Sequence, residues 1–221
     1  MVGPTALVYG ADMATIQRLA DSCLLVTTGS GTTLFDPGFF SWRSDEVDLD
    51  ALGDVQRVLI THAHADHVHP DFVRWLVDRG DDVAVHANQD VVDLLAEHDV
   101  AASTEVPADA TVEDLDHERL PNGATLPNRA WTLGGVFTHP GDSQQLTETA
   151  PVMALPLLAP WTSTTDAVAF ARRVGPRQVV AVHDFYCSAS GRRFLRELAA
   201  GVLAEHDIEL LPLDWGDHLT I

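Results

Sequence analysis

The sequence predicts an α/β or α+β fold in which sheets carry helices on their outer faces. Three observations predict it. Short strand patterns open the chain, strand-then-helix units follow, and the same succession returns in the second half. The 221 residues, 46% hydrophobic, suit one domain with a sizeable core, expected to span 1–221. No apolar run reaches the 18 residues of a membrane span, and no repeat or linker interrupts the pattern.

The first elements are short strands within residues 14–36. The apolar run Ser22 to Thr27, a turn at Gly29-Ser30-Gly31, and Thr32 to Asp36 read as a hairpin. Pro37 and Gly38 end it and open a loop carrying Phe39, Phe40 and Trp42, followed by an acidic surface stretch from Asp45 to Asp54. Arg57 to Thr61 is a nearly continuous apolar run, as expected of a strand buried on both faces. Pro70 suits the first position of a helix with Phe72, Val73, Leu76 and Val77 on one face, stopped at Gly80. A strand at Val83 to His86 leads to Asn88, a cap for a second helix with Val91, Val92, Leu94 and Leu95.

Residues 99 to 130 are polar and show no period. Strands are expected at Thr132 to Thr138, Val152 to Leu157 and Gln178 to Val182. A helix from Thr164 to Val174 has a capping-box pattern in Ser163 and Asp166 and stops at Gly175-Pro176. The last helix is expected to begin at Ser190 and run to about Glu205.

The chemistry concentrates in His62-Ala63-His64-Ala65-Asp66-His67, directly after an apolar strand and before a helix start. Neutral imidazoles and a carboxylate are ligands for zinc and similar divalent ions. In an extended segment His62 and His64 project to one side, while a turn through Ala65 lets Asp66 and His67 reach a second ion. A surface histidine tract that binds metal adventitiously would lack this strand-to-helix context. Two later strand ends carry His139-Pro140-Gly141-Asp142 and His183-Asp184, at loop entrances where sites usually lie. The remaining histidines, His69, His86, His98, His206 and His218, have no such setting and read as surface or capping groups.

Together these residues resemble the metallo-β-lactamase superfamily, an αββα sandwich, and within it the compact branch of ascorbate-6-phosphate lactonase-like enzymes. The likeness rests on the Thr61 to His67 run, Gly141-Asp142, His183 and Phe35-Asp36-Pro37-Gly38. It implies one metal on His62 and His64, a second on Asp66, His67 and His183, and Asp142 bridging both. Asp36 would orient ligands from outside. A third histidine for the first metal is also implied, for which His117 and His139 compete. His139 stands three residues before Asp142 and would crowd it, so His117 is taken as the ligand and His139 as the alternative. Where many relatives carry Gly-His-Ser or Gly-His-Ala, this chain has Ala20-Asp21-Ser22.

The implied activity is metal-dependent hydrolysis of a small-molecule lactone, ester, amide or phosphoester. Two divalent ions, zinc first and manganese or iron as alternatives, would hold a hydroxide, with Asp66 orienting it or relaying its proton. The other class is an iron-loaded redox member of the same fold handling oxygen, nitric oxide or sulfur species. Phe39, Trp42, Trp161 and Tyr186 are candidates for the substrate pocket, although ordinary packing explains each one individually.

Charge narrows the partners. The chain has 33 acidic residues against 13 basic ones, a formal charge of −20, and every basic residue is arginine. Such a surface repels nucleic-acid backbones and anionic membranes, so neither is expected as a partner. Cys23 and Cys187 form no metal-binding or disulfide pattern, and the N-terminal stretch has no signal-peptide features, so a cytoplasmic location is expected. Homo-oligomerisation is expected on base rates only.

Overall fold

A computed structural model describes residues 13–80 and 82–221; the first twelve residues and residue 81 of the expected 1–221 domain lie outside it. The first sheet contains β1 (Thr15–Arg18), β2 (Leu24–Thr28), β3 (Gly31–Phe35), β4 (Arg57–Leu59) and β5 (Ala84–His86). The second contains β6 (Ala110–Asp116), β7 (Pro127–Leu133), β8 (Phe137–His139), β9 (Val152–Pro156), β10 (Gln178–Val182) and β11 (Glu209–Leu210). A final strand, β12 (His218–Thr220), returns to pair antiparallel with β1, giving the orders β12-β1-β2-β3-β4-β5 and β11-β10-β9-β8-β7-β6.

Strand alternation sorts the side chains into layers. Leu24, Val26, Phe35 and Leu59 of the first sheet meet Trp131, Phe137, Ala154 and Val180 of the second in one cluster. Phe35 and Phe137 meet across this interface with ring centroids 5.3 Å apart. The alternate residues Leu25, Leu34, Val58 and Val85 pack on helices α2 (Pro70–Arg79) and α3 (Gln89–Ala96) through Phe72, Val73, Leu76, Val91 and Leu95. On the other side Met153, Leu155, Val179 and Ala181 pack on α4 (Thr164–Val174) and α5 (Ala189–Ala204). The result is the αββα layering, with both sheets covered by helices.

The caps follow the local chemistry. The Asn88 side chain accepts from the Val91 amide, and that of Ser163 from the Asp166 amide, while Gly175 ends α4 in the left-handed conformation. Four expectations change. Phe39 and its neighbours form a short helix, α1 (Phe39–Arg43), rather than a loop. Thr132 to Thr138 is not one strand: Gly134 and Gly135, both at positive φ, turn the chain between β7 and β8. The last helix, α5, begins at Ala189 behind a Ser188 cap, one residue before the expected Ser190. The unperiodic stretch 99 to 130 contains β6 and the start of β7, and β11 and β12 were not expected.

Arg57 of β4 grips Asp109, donating from Nη2 to Oδ2 at 3.0 Å, and Ser30 donates to the same carboxylate at 2.6 Å. The Arg57 hydrogen bonds, aided by Ser30, pull Asp109 down to about 2. A depressed carboxylate stabilises fully above its unfolded pKa, near 4, and the contribution fades as pH falls toward the folded value. The thermal midpoint of Asp109→Asn is therefore expected to lie below that of the parent protein at about pH 6 and to approach it at about pH 2.5, for a partly exposed pair worth ~1 kcal/mol or less. An unchanged gap across that range would refute the assignment.

Candidate metal centre

β3 and β4 run parallel and end side by side, which places Asp36 against Thr61. Asp36, at φ 46°, accepts from the Thr61 amide and hydroxyl, both at 2.8 Å. The histidine run then turns back on itself, His67 and Val68 both donating to the His64 carbonyl at 2.9 Å. Gly38 lies against this turn, and a Cβ there would collide with the Asp66 carbonyl and the His67 amide. Only glycine allows that approach.

Asp142 is delivered from the second sheet. Gly141 adopts φ 61°, and a side chain there would strike Asn128 and reach the Thr61 Cβ at 2.8 Å. Asn128, buried in β7, accepts from the Asp142 amide at 3.0 Å and donates to the Pro140 carbonyl at 2.9 Å. His183 leaves β10 at φ 56°, a left-handed conformation uncommon outside glycine and asparagine.

These turns bring the six other expected ligands around Asp142, so that all seven come together. One group is His62, His64, His117 and Asp142; the other is Asp66, His67, His183 and Asp142, with one candidate ligand atom per residue and all such atoms in a group within 4.8 Å. Asp142 Oδ2 lies 3.1 Å from His117 Nε2, and its Oδ1 lies 3.0 Å from His67 Nε2 and 2.7 Å from His183 Nε2. His64 and Asp66 are half-buried on the open side, whereas His62, His67, His117, Asp142 and His183 are buried.

Second partners orient two of the rings. His67 donates from Nδ1 to Asp36 Oδ2 at 2.7 Å, and His117 donates from Nδ1 to the Glu118 carbonyl. With Nδ1–H used in this way, a neutral ring turns its Nε2 lone pair toward Asp142, so two acceptors face each other unless a cation lies between them. Nε2 of His67, His117 and His183 and Oδ1 of Asp142 are all buried without a hydrogen-bond partner. Such orphaned atoms carry a desolvation cost that metal coordination removes. The donor set fits divalent ions.

The electrostatics agree. Burial, with the neighbouring His67, drives His62 well below its ordinary pKa, and burial with His117 lowers His64. Both are thereby kept in the neutral form that ligates. Burial opposes protonation of His67 and His183 too, but Asp142 with Asp36 raises His67, and Asp142 with Asp21 raises His183 to about 9. Against its own burial, Asp142 is held well below the carboxylate range by His183 and His67. The centre thus carries a buried anion that requires positive charge beside it.

His139 lies elsewhere. Its Nε2 donates to the Ser22 carbonyl at 2.9 Å and its Nδ1 accepts from the Gly141 amide at 3.1 Å, so both ring nitrogens are engaged in clamping β8 to the first sheet. His117→Ala is expected to lose bound metal without unfolding. His139→Ala is expected to retain most metal but to lose ~1–3 kcal/mol of stability from the buried groups it strands. Elemental analysis and urea unfolding of the two variants check this; metal loss confined to His139→Ala would reverse the assignment.

Asp21 escaped the sequence reading. It is buried at φ 58°, its Oδ2 lies 3.6 Å from His183 Nδ1, and its Oδ1 accepts from the Phe185 amide at 3.2 Å. Trp161 stands edge-on to the His117 and His183 rings, at centroid distances of 5.6 and 5.9 Å. Trp42 does not cover the cluster; it packs against Phe72 and Trp75 of α2.

The family model of the metallo-beta-lactamase superfamily matches residues 17–180. The chain belongs to this superfamily. "Protein Rv0786c" of Mycobacterium tuberculosis (strain ATCC 25618 / H37Rv) is 28% identical to this metallo-β-lactamase-superfamily chain over 192 residues, covering 80% of it and 87% of the relative. The fold is also that of Igni18, a metallo hydrolase from Ignicoccus hospitalis KIN4/I, with TM-score 0.72 and 14% identity over 95% of this chain and 98% of that one. An isothiocyanate hydrolase from Delia radicum gut bacteria superposes with TM-score 0.65 and 15% identity, covering 94% and 98% of the two chains. Among the described residues no helix is long and apolar enough to cross a membrane.

Proposed function

We propose that this chain is a metal-dependent hydrolase of a small-molecule lactone, ester, amide or phosphoester, working with two divalent ions, zinc first. One observation carries the reading: buried, unpartnered Nε2 atoms of His67, His117 and His183 converge on Asp142. His62, His64 and His117 would hold one ion, Asp66, His67 and His183 the other, and Asp142 both. When bound, such ions supply Lewis acidity and an activated water at neutral pH.

The chain's own groups do the rest. Asp36 fixes the His67 ring through Nδ1, and the Glu118 carbonyl fixes His117 in the same way. Asp66 keeps its carboxylate half-exposed on the open side, 3.8 Å from His67 Nε2, where it can accept a proton from water or deliver one to a leaving group. The location proposed is cytoplasmic.

Metal content of protein purified without chelators tests this, in parallel with His64→Ala and with His206→Ala as a control. About two zinc or manganese ions per chain, falling in His64→Ala alone, are expected. Iron instead would favour redox chemistry, and no metal even after reconstitution would refute the proposal. A full zinc or manganese content would be followed by a screen of lactones, esters and phosphoesters on the metal-loaded protein.

A further inference from the structure

The two groups of ligands share Asp142 but differ in the carboxylates around them. In one, Asp36 Oδ2 lies 2.7 Å from His67 Nδ1, Asp21 Oδ2 lies 3.6 Å from His183 Nδ1, and Asp66 Oδ2 lies 3.8 Å from His67 Nε2. In the other, among the described residues, Asp142 is the one carboxylate within ion-pair reach of His62 or His117, and none lies that near His64. The outer partners of those rings are neutral. The Thr61 hydroxyl stands 3.0 Å from His62 Nδ1, and the Glu118 carbonyl accepts from His117 Nδ1.

The backbone builds Asp21 into this contact. It sits buried at φ 58° in the turn between β1 and β2, and its Oδ1 accepts at 3.2 Å from the amide of Phe185, two residues after His183. Its neighbours are fastened too. The Ala20 amide donates to Ser41 Oγ at 3.0 Å, and Ser22 Oγ donates to the Asp66 carbonyl at 2.7 Å. Oδ2 is thereby left facing His183. Burial raises the Asp21 carboxyl while His183 draws it down. A buried carboxylate of this kind is costly unless positive charge lies beside it.

Resting on the two-ion reading, we infer that Asp21 is a positioning residue for His183 and that, with Asp36 on His67, it makes the side formed by Asp66, His67 and His183 the tighter ion site, the first to fill. Charge decides this against imidazole count. The side formed by His62, His64 and His117 offers three imidazoles to the other's two. A carboxylate behind an imidazole, however, fixes the ring and strengthens its free nitrogen as a donor, and each further anion attracts a dication.

Zinc titration of the metal-free protein against a chromophoric chelator reads the two binding steps without turnover. The first ion is expected to bind at least about tenfold more tightly than the second. His64→Ala is expected to keep the tight step and lose the weak one, and His183→Ala to do the reverse. Asp21→Asn and Asp36→Asn each remove one charge while keeping side-chain volume. Each is expected to weaken the tight step about ten- to a hundredfold and to leave the weak step within about threefold, with circular dichroism unchanged. The visible spectrum of the protein carrying one cobalt ion is expected to shift in Asp21→Asn, which a purely structural role would not produce. Equal affinities for the two ions, a tight step lost in His64→Ala instead of His183→Ala, or an Asp21→Asn protein with unchanged first-step affinity and cobalt spectrum overturns the inference and leaves the hydrolase reading standing. A protein that binds no zinc at either step overturns both.

Discussion

Asp142→Ala is expected to empty the centre and to lower hydrolysis by roughly a thousandfold or more. The magnitude follows from the several kcal/mol that metal ions contribute to stabilising developing charge, at 1.36 kcal/mol per factor of ten. Asp142 is the residue common to both ligand groups, and its two oxygens face different histidines. Removing it therefore withdraws a ligand from each ion at once and leaves five imidazoles and one half-exposed carboxylate, Asp66, as the remaining ligands. Asp142→Asn is the informative companion, because it retains the side-chain volume and leaves the Asp142 backbone bond to Asn128 intact. Both variants are expected to fold, by circular dichroism, and both to lack metal, by elemental analysis. Full metal content together with undiminished turnover in Asp142→Ala would exclude a bridging role.

Local chemistry decides how much of this could be read from the chain. The His62 to His67 run was legible because its ligands lie within one turn; Pro70 marks a helix start through its fixed φ, and Asn88 and Ser163 do so through cap bonds that close within four residues. The β6–β7 hairpin was not. β6 is an edge strand whose Thr111, Asp114 and Asp116 are exposed, so its polar sequence mimics a loop, and the Gly134-Gly135 turn was passed over within an apolar stretch. β12 is a strand only because β1, some two hundred residues earlier, offers it an edge. The site repeats this division. His117 and His139 differ in role because one turns Nε2 to Asp142 and the other spends both nitrogens on backbone, a distinction that no spacing encodes. Asp21 reaches His183 through the folding of two distant loops, so only its departure from the superfamily's usual residue hinted at it.

Asp184→Ala is expected to cost 3–5 kcal/mol, by the rule for breaking a buried ion pair from one side. Arg18 and Asp184 are both fully buried, with Nη2 and Oδ1 2.7 Å apart. Arg18 also donates to the Leu213 carbonyl at 3.2 Å, and Trp215 donates to Asp184 Oδ1 at 3.2 Å. The pair ties the end of β1 in one sheet to the residue after His183 in the other, so it holds the loop that presents a metal ligand. Loss of the carboxylate leaves a guanidinium in the interior with one carbonyl for company. For a chain of this size the midpoint would fall by roughly 6–20 °C. Arg18→Met/Asp184→Asn removes both charges and is expected to be more stable than Asp184→Ala, since neither ion is then left unpaired. Urea unfolding of the three proteins in metal-free buffer separates this effect from any loss of ligation. A drop within about 1 kcal/mol for Asp184→Ala would mean that water reaches Arg18 and that the loop after β10 is held by packing alone.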